Sequence, residues 1–88
     1  MSVFQGGSAY NMAQSIADGF IIVSDLTFKR FQGPDFQTFL FEIDRLLREV
    51  RGNQVATDDI QGAQLRQRRL QRLQQAITIA NAAKSRKR

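Results

Sequence analysis

The most regular hydrophobic pattern in the chain runs from residue 35 to residue 51, where apolar side chains recur every three or four residues. At 100° per residue they fall within an arc of about 120°, the width of the stripe that a helix turns toward a protein core. Asp35 is the expected cap of this helix, and Gly52-Asn53 predicts its end through a left-handed residue. The predicted buried stripe consists of Phe36, Phe39, Leu40, Ile43, Leu46, Leu47 and Val50.

The pattern from residue 58 to about residue 83 predicts a long C-terminal helix. Thr57 is the expected N-cap, and Asp58 and Asp59 would lie in the first turn, where the helix dipole favours negative charge. Two lines of side chains on one helix are typical of contact on two sides, as in a helical oligomer. One line joins Ala63, Leu70, Leu73, Ile77 and Ala80, and the other joins Leu65, Arg69, Arg72, Ala76, Ile79 and Ala83.

The pattern from residue 9 to residue 31 fits two structures. As a helix it has an apolar side, whereas as a strand Phe20–Val23 is rich in β-branched residues, although no second strand is evident to pair with it. We therefore predict a helix. One alternative is a helix that ends near Gly19, followed by an extended segment that pairs across a dimer. Another is a ribbon over residues 26–30 with Thr27 and Lys29 in a nucleic-acid groove. The helical reading buries Ala13, Ile16, Ala17, Phe20, Val23, Leu26 and Thr27.

The predicted fold is all-α, a small three-helix or helical-hairpin bundle with a long C-terminal helix. The alternative is an α+β fold with a strand near 20–29 that pairs across a dimer. A chain of 88 residues buries only a small core, so we expect oligomerisation to add buried surface. Residues 1–8 are predicted to be a flexible N-terminal arm, residues 9–83 a single helical domain, and residues 84–88 a basic tail.

Charge is divided unevenly along the chain. All eight acidic residues lie in residues 1–61, whereas residues 62–88 contain eight basic residues and no acidic one. Arginine pairs with phosphate oxygens through its planar fork, so the predicted function is that of a small basic helical protein that binds DNA or RNA. The predicted nucleic-acid-binding residues are Arg66, Arg68, Arg69, Arg72, Lys84, Arg86, Lys87 and Arg88.

Three apolar side chains indicate a different kind of partner. Phe41 lies on the polar side of the helix over 35–51, and Leu65 and Ile79 belong to the second line of the C-terminal helix. Apolar side chains in such positions predict a protein–protein interface. The alternative function is therefore a protein–protein adaptor or assembly subunit with no nucleic-acid role, whose basic tail binds either an acidic protein or nothing.

The residue inventory argues against catalysis. The chain has no histidine and no cysteine, which removes the commonest general bases, nucleophile–base pairs and transition-metal ligands. Asp58 and Asp59 are adjacent and would point about 100° apart on a helix, so they do not converge on a metal ion. We predict no enzyme activity, metal site or cofactor. The longest apolar run, Phe20–Val23, is too short to span a membrane, and no signal peptide is evident, so the predicted location is cytoplasmic.

Overall fold

The computed structural model describes residues 3–53 and 56–86, which form three α-helices and one short 3₁₀ helix. No strand occurs in these two stretches, so the all-α prediction is confirmed. The number of copies in the assembled protein stays a prediction. The helices are α1 (Ala9–Ala17), α2 (Gly33–Gly52) and α3 (Ile60–Arg86), and the 3₁₀ helix (Asp25–Phe28) lies between α1 and α2.

Helix α2 carries the predicted apolar stripe. Leu40 is half-buried, and the other six predicted side chains are buried against α1 and α3. The helix begins at Gly33, two residues before the predicted cap. Asp35 therefore lies inside the first turn, where its carboxylate accepts a hydrogen bond of 2.8 Å from the backbone N–H of Gln32. This bond satisfies a backbone donor at the helix start and fixes the entry of the chain into α2.

The prediction of one helix across residues 9–31 is wrong beyond Ala17. Ser8 caps α1 as its sequence position suggests, because its hydroxyl oxygen accepts a hydrogen bond of 3.1 Å from the N–H of Asn11. The helix ends because Gly19 has a φ of 84°, in the left-handed region that stops a helix and favours glycine. Phe20 and Leu26, which a continuous helix would have buried, are exposed instead.

The buried aromatic side chains of the core all follow α1 in the sequence. Phe28 on the 3₁₀ helix and Phe31 just beyond it are fully buried, and they pack against Phe36 and Phe39 of α2. Ring centroids in this cluster lie 5.1–5.9 Å apart, mostly edge to face. Phe4 adds a further edge contact to Phe31 at 5.3 Å. The ribbon alternative over residues 26–30 is thus wrong, because residues 26–28 lie in the 3₁₀ helix and residues 29–30 form a turn.

Within one copy of the chain, helix α3 has a single buried stripe rather than two contact sides, and contact of α3 with a second copy stays a prediction. The stripe consists of Leu73, Ala76, Ala80 and Ala83, with spacings of three, four and three. It takes two residues from each predicted line, so both lines are the edges of one stripe. Three of the four side chains are alanines, which lets α3 approach α1 and α2 closely. The 27 residues of α3 account for the long dimension of the molecule, 47 Å.

The start of α3 also differs from its prediction. Asp59, rather than Thr57, caps the helix, because its carboxylate accepts a hydrogen bond of 2.9 Å from the N–H of Gly62. At its other end the helix extends through residues 84–86, which the sequence assigned to a basic tail.

Candidate interaction surfaces

Arg66 is used within the fold to hold the end of α2. Its Nε donates a hydrogen bond of 3.1 Å to the carbonyl oxygen of Val50, and its Nη2 donates one of 2.9 Å to that of Arg51. The last carbonyls of a helix lack partners in the helix and carry partial negative charge, so a guanidinium suits them. The predicted left-handed residue at Gly52-Asn53 is absent, since Asn53 has a φ of −70°.

Arg69 and Arg72 lie at the end of α1. The Nη1 of Arg72 donates a hydrogen bond of 3.0 Å to the carbonyl oxygen of Ala17. Its guanidinium fills the space in front of Gly19, where an added Cβ would lie 3.0–3.2 Å from its atoms. The Nε of Arg69 lies 3.5 Å from Oδ1 of Asp18, an ion pair without a hydrogen bond at that nitrogen. Three of the predicted nucleic-acid ligands thus bind helix ends.

The remaining predicted ligands are distributed along the rest of the basic segment. Arg86 forms an exposed ion pair with Asp25 of the 3₁₀ helix, with 2.6 Å between Nη2 and Oδ1. Arg68 and Lys84 are exposed, and neither has a hydrogen-bond or ion-pair partner among residues 3–53 and 56–86. Lys87 and Arg88 lie outside the described residues. Only some of the basic side chains in residues 62–88 are therefore exposed and without a partner inside the described part of the chain.

The side of α3 that faces away from the core is rich in amides rather than in charge. Six exposed glutamines, whose amide side chains are uncharged, lie along it. Arg68 lies among them, so the outer surface of this helix is mostly neutral. The exposed glutamines are Gln61, Gln64, Gln67, Gln71, Gln74 and Gln75.

The three predicted protein-interface residues do not share one surface. Phe41 is 65 % exposed on the side of α2 that faces away from its buried stripe. Leu65 is 56 % exposed near the start of α3, beside a shallow cleft that Gln61 and Arg68 also line. Ile79 is half-buried and packs against the core, which makes it chiefly a structural residue.

The most exposed apolar side chains lie in the connection between α1 and α2, which we call the connecting segment (residues 18–32). Phe20 is 82 % exposed, Ile22 90 % and Leu26 76 %. The sequence prediction missed them because it placed Phe20 and Leu26 on the buried side of a helix. Two signals were present: Gly19 inside the proposed helix, and four successive apolar residues, three of them β-branched, which favour an extended chain.

In the connecting segment, the side chains of residues 20–24 alternate between inside and outside. Ile21 and Val23 pack against the core, whereas Phe20, Ile22 and Ser24 face outward. This period of two is that of a β-strand, but the backbone turns at Phe20 and Ile21, whose N–H groups both donate to the carbonyl oxygen of Ser15. Within the described part of the chain, the backbone N–H and C=O groups of Ile22 and Val23 form no hydrogen bond. An exposed apolar stretch with unpaired backbone is a template for pairing with another chain.

A cleft of about 290 Å³ lies between this stretch and α3. Ile16, Ile21 and Val23 line it from the side of α1 and the connecting segment, and Arg72 and Gln75 line it from α3. The cleft places apolar side chains beside hydrogen-bonding groups, a mixture that suits a peptide chain.

The described residues contain neither a cluster of metal ligands nor a membrane-spanning helix. Within residues 3–53 and 56–86, no three acidic, histidine or cysteine side chains come together as a group that could hold a metal ion. Over the same stretches, no helix combines the length and the hydrophobicity needed to cross a membrane.

Comparison of the chain with protein-family models, with curated proteins and with solved structures finds no match in any of the three.

Proposed function

We propose that this chain is a protein–protein interaction domain, an assembly subunit or adaptor, that binds its partner through the connecting segment. The observation that carries the proposal is the exposure of Phe20, Ile22 and Leu26 within seven residues of one another. Complete burial of an aliphatic or aromatic side chain contributes about 1.5–3 kcal/mol. Burial of these three exposed side chains against a partner therefore makes a large favourable contribution to the free energy of binding.

The distribution of arginine supports the same choice. Arg66, Arg69 and Arg72 bind the ends of α1 and α2. To contact phosphate with the same donor groups, they would have to give up their carbonyl or carboxylate partners. The outward side chains of Phe20, Ile22 and Leu26 have no such competing role, since they bury little of their surface in the monomer.

The proposal is tested by the size of the protein in extracts of the cells that produce it. Gel filtration with immunodetection should place the chain well above its own mass of 10.0 kDa. A double substitution, Phe20→Ser with Ile22→Ser, should shift it to the monomer position, because serine removes the apolar contact. Phe41→Ser is the matched control: it exposes the same hydroxyl on α2 and should leave the elution unchanged.

Circular dichroism of the purified double variant checks that its helix content is intact. A wild-type chain that elutes as a monomer would overturn the proposal. So would a double variant that keeps the wild-type size while Phe41→Ser loses it.

A second candidate function is polyanion binding, which the charge of residues 62–88 favours. If Arg66, Arg69 and Arg72 stay at the helix ends, five basic residues remain for phosphate contact. The affinity for DNA should then fall with salt at a log–log slope no steeper than about −4.5, rather than about −7 for all eight bases. Gel shifts at several salt concentrations measure this slope. Absence of any shift at low salt would eliminate this candidate.

A further inference from the structure

We propose that the cleft between the connecting segment and α3 binds the C-terminal residue of the partner protein, with the terminal carboxylate on Arg72 and an aliphatic side chain in the apolar part of the cleft. This inference rests on the proposed function, because Ile22 both lines the cleft and belongs to the exposed apolar surface of the connecting segment. It goes further in stating which part of the partner is bound and which groups bind it.

Arg72 has no counter-ion within the fold. Its Nη1 donates to the carbonyl oxygen of Ala17 at 3.0 Å, but a carbonyl at a helix end carries only partial negative charge. The neighbouring Arg69 differs, because it forms an ion pair with Asp18. Arg72 forms no ion pair with any residue in 3–53 or 56–86. A half-buried cation without a carboxylate partner favours the binding of an anion beside it.

The guanidinium of Arg72 keeps donors for such an anion. Two parallel N–H bonds from one edge of a guanidinium to a carboxylate form one of the strongest pairings of charged side chains. In the described part of the chain, only Nη1 of Arg72 has a hydrogen-bond partner. Nε and Nη2, which together form one such edge, remain for a ligand. One unpaired cation also matches the single negative charge of a carboxylate better than the double charge of a phosphate.

The lining of the cleft selects an anion with an apolar group next to its charge. Ile16, Ile21 and Val23 form an apolar wall, and Arg72 lies at the same cleft. The volume of about 290 Å³ is at the small end of the range for ligand sites, so it suits the end of a chain rather than a long segment. A protein that ends in leucine, isoleucine or valine presents this combination of carboxylate and aliphatic side chain.

The polar groups around the cleft favour a peptide over a small free carboxylate. Gln75 lies on the α3 side, and its amide both donates and accepts hydrogen bonds. On the side of the connecting segment, the backbone N–H and C=O of Ile22 are unpaired within the described part of the chain. These groups are complementary to the peptide bonds that precede a C-terminal carboxylate. Residues before the C-terminus also bury the exposed side chain of Ile22.

Peptides with and without a terminal carboxylate test the inference on the wild-type chain. The probes are fluorescein-labelled heptapeptides in pools, one pool for each amino acid at the last position, made both as free acids and as C-terminal amides. Fluorescence anisotropy should show the tightest binding for acid pools that end in leucine, isoleucine or valine. Their amides should bind at least about tenfold more weakly, because an amide loses the charge-assisted pair. Absence of binding by every acid pool, equal affinities of acids and amides, or a preference for polar last residues would overturn the inference.

Two glutamine variants test the site within the protein. Gln75 lines the cleft, whereas Gln74 is equally exposed and does not line it. Gln75→Glu places a carboxylate at the cleft, where it competes for Arg72 and repels the ligand, so affinity for the best acid pool should fall at least about tenfold. Gln74→Glu, the matched control, adds the same charge about 100° around the helix and should change affinity less than about twofold. Equal losses in two variants of unchanged helix content would overturn the site.

A small carboxylate and the cell-extract measurement separate the remaining outcomes. Isocaproate has the side chain and carboxylate of leucine without a peptide bond, and it should bind at least about tenfold more weakly than the best acid pool. Isocaproate that binds as tightly as the peptide would overturn the choice of a protein C-terminus. If no peptide binds, but Phe20→Ser with Ile22→Ser still shifts the complex in extract, the proposed function survives with a partner that does not use its C-terminus.

Discussion

The arginine-rich half of α3 and the connecting segment use their side chains in opposite ways. Arg66 and Arg72 turn toward the fold and bind the carbonyl oxygens at the ends of α2 and α1. Phe20 and Ile22, in the most apolar run of the chain, turn toward water. Composition alone therefore does not predict the role of either stretch. A charged helix can be a structural clamp, and an apolar run can be the surface that a partner contacts.

The physical reason for the inward arginines is the shape of the bundle. Helices α1 and α2 both end beside the N-terminal half of α3, and both ends leave carbonyl oxygens without intrahelical partners. A buried carbonyl without a partner is costly, so long side chains with several donors stabilise these ends. Arginine reaches them from α3 while the apolar stripe of that helix packs farther along.

The largest expected effect on stability distinguishes a buried isoleucine from an exposed one. Ile43 is fully buried in α2, and Ile43→Ala should lower the free energy of unfolding by about 2–5 kcal/mol through lost burial and a residual cavity. Ile22→Ala, at the exposed position, should change the stability of the monomer by less than about 0.5 kcal/mol. Urea denaturation at low protein concentration measures both. A loss above 1.5 kcal/mol in Ile22→Ala would show that Ile22 itself belongs to the core.

The next effect separates two arginines that are two residues apart. Arg66→Ala removes two hydrogen bonds from a charged donor and should destabilise the protein by about 1.5–3 kcal/mol. Arg68→Ala, which removes an exposed side chain without a described partner, should stay within about 0.5 kcal/mol of the wild type. The midpoints of urea unfolding of the two variants measure this difference in stability. Equal stability of the two variants would refute the structural role of Arg66.

The smallest expected effect separates two glycines. Gly19→Ala forces alanine into a left-handed conformation and displaces the guanidinium of Arg72, so stability should fall by about 1–2 kcal/mol. Gly52→Ala lies at the end of α2 with open space around its Cβ, and it should leave stability unchanged or raise it by up to about 1 kcal/mol. Thermal unfolding of the two variants should therefore shift in opposite directions or differ clearly in size. A Gly19→Ala variant as stable as wild type would argue against a fixed end of α1 at this glycine.

The parts of the fold that could be predicted from the sequence are those set by local pattern. The stripe of α2 is encoded within one helix, so the spacing of Phe36, Phe39 and Ile43 was sufficient. The end of α1 was harder, because Gly19 lowers helix propensity only modestly and its left-handed conformation depends on the space that Arg72 fills. The alternative of a helix that ends near Gly19 came closest.

The parts of the candidate surface that could not be predicted depend on contacts between distant residues. The local sequence does not distinguish Arg66 from Arg68. Their roles differ because Arg66 faces the end of α2 and Arg68 does not. Likewise, the exposure of Phe20 follows from Phe28 and Phe31 filling the core in its place. Both outcomes required the packing of all three helices.

The most direct test of the central claim places a photocrosslinking amino acid at position 22 in one variant and at position 68 in another, inside producing cells. Position 22 should form an adduct with a protein, and position 68 of α3 should form markedly less of any adduct. An adduct with nucleic acid or protein at position 68, together with none at position 22, would contradict it.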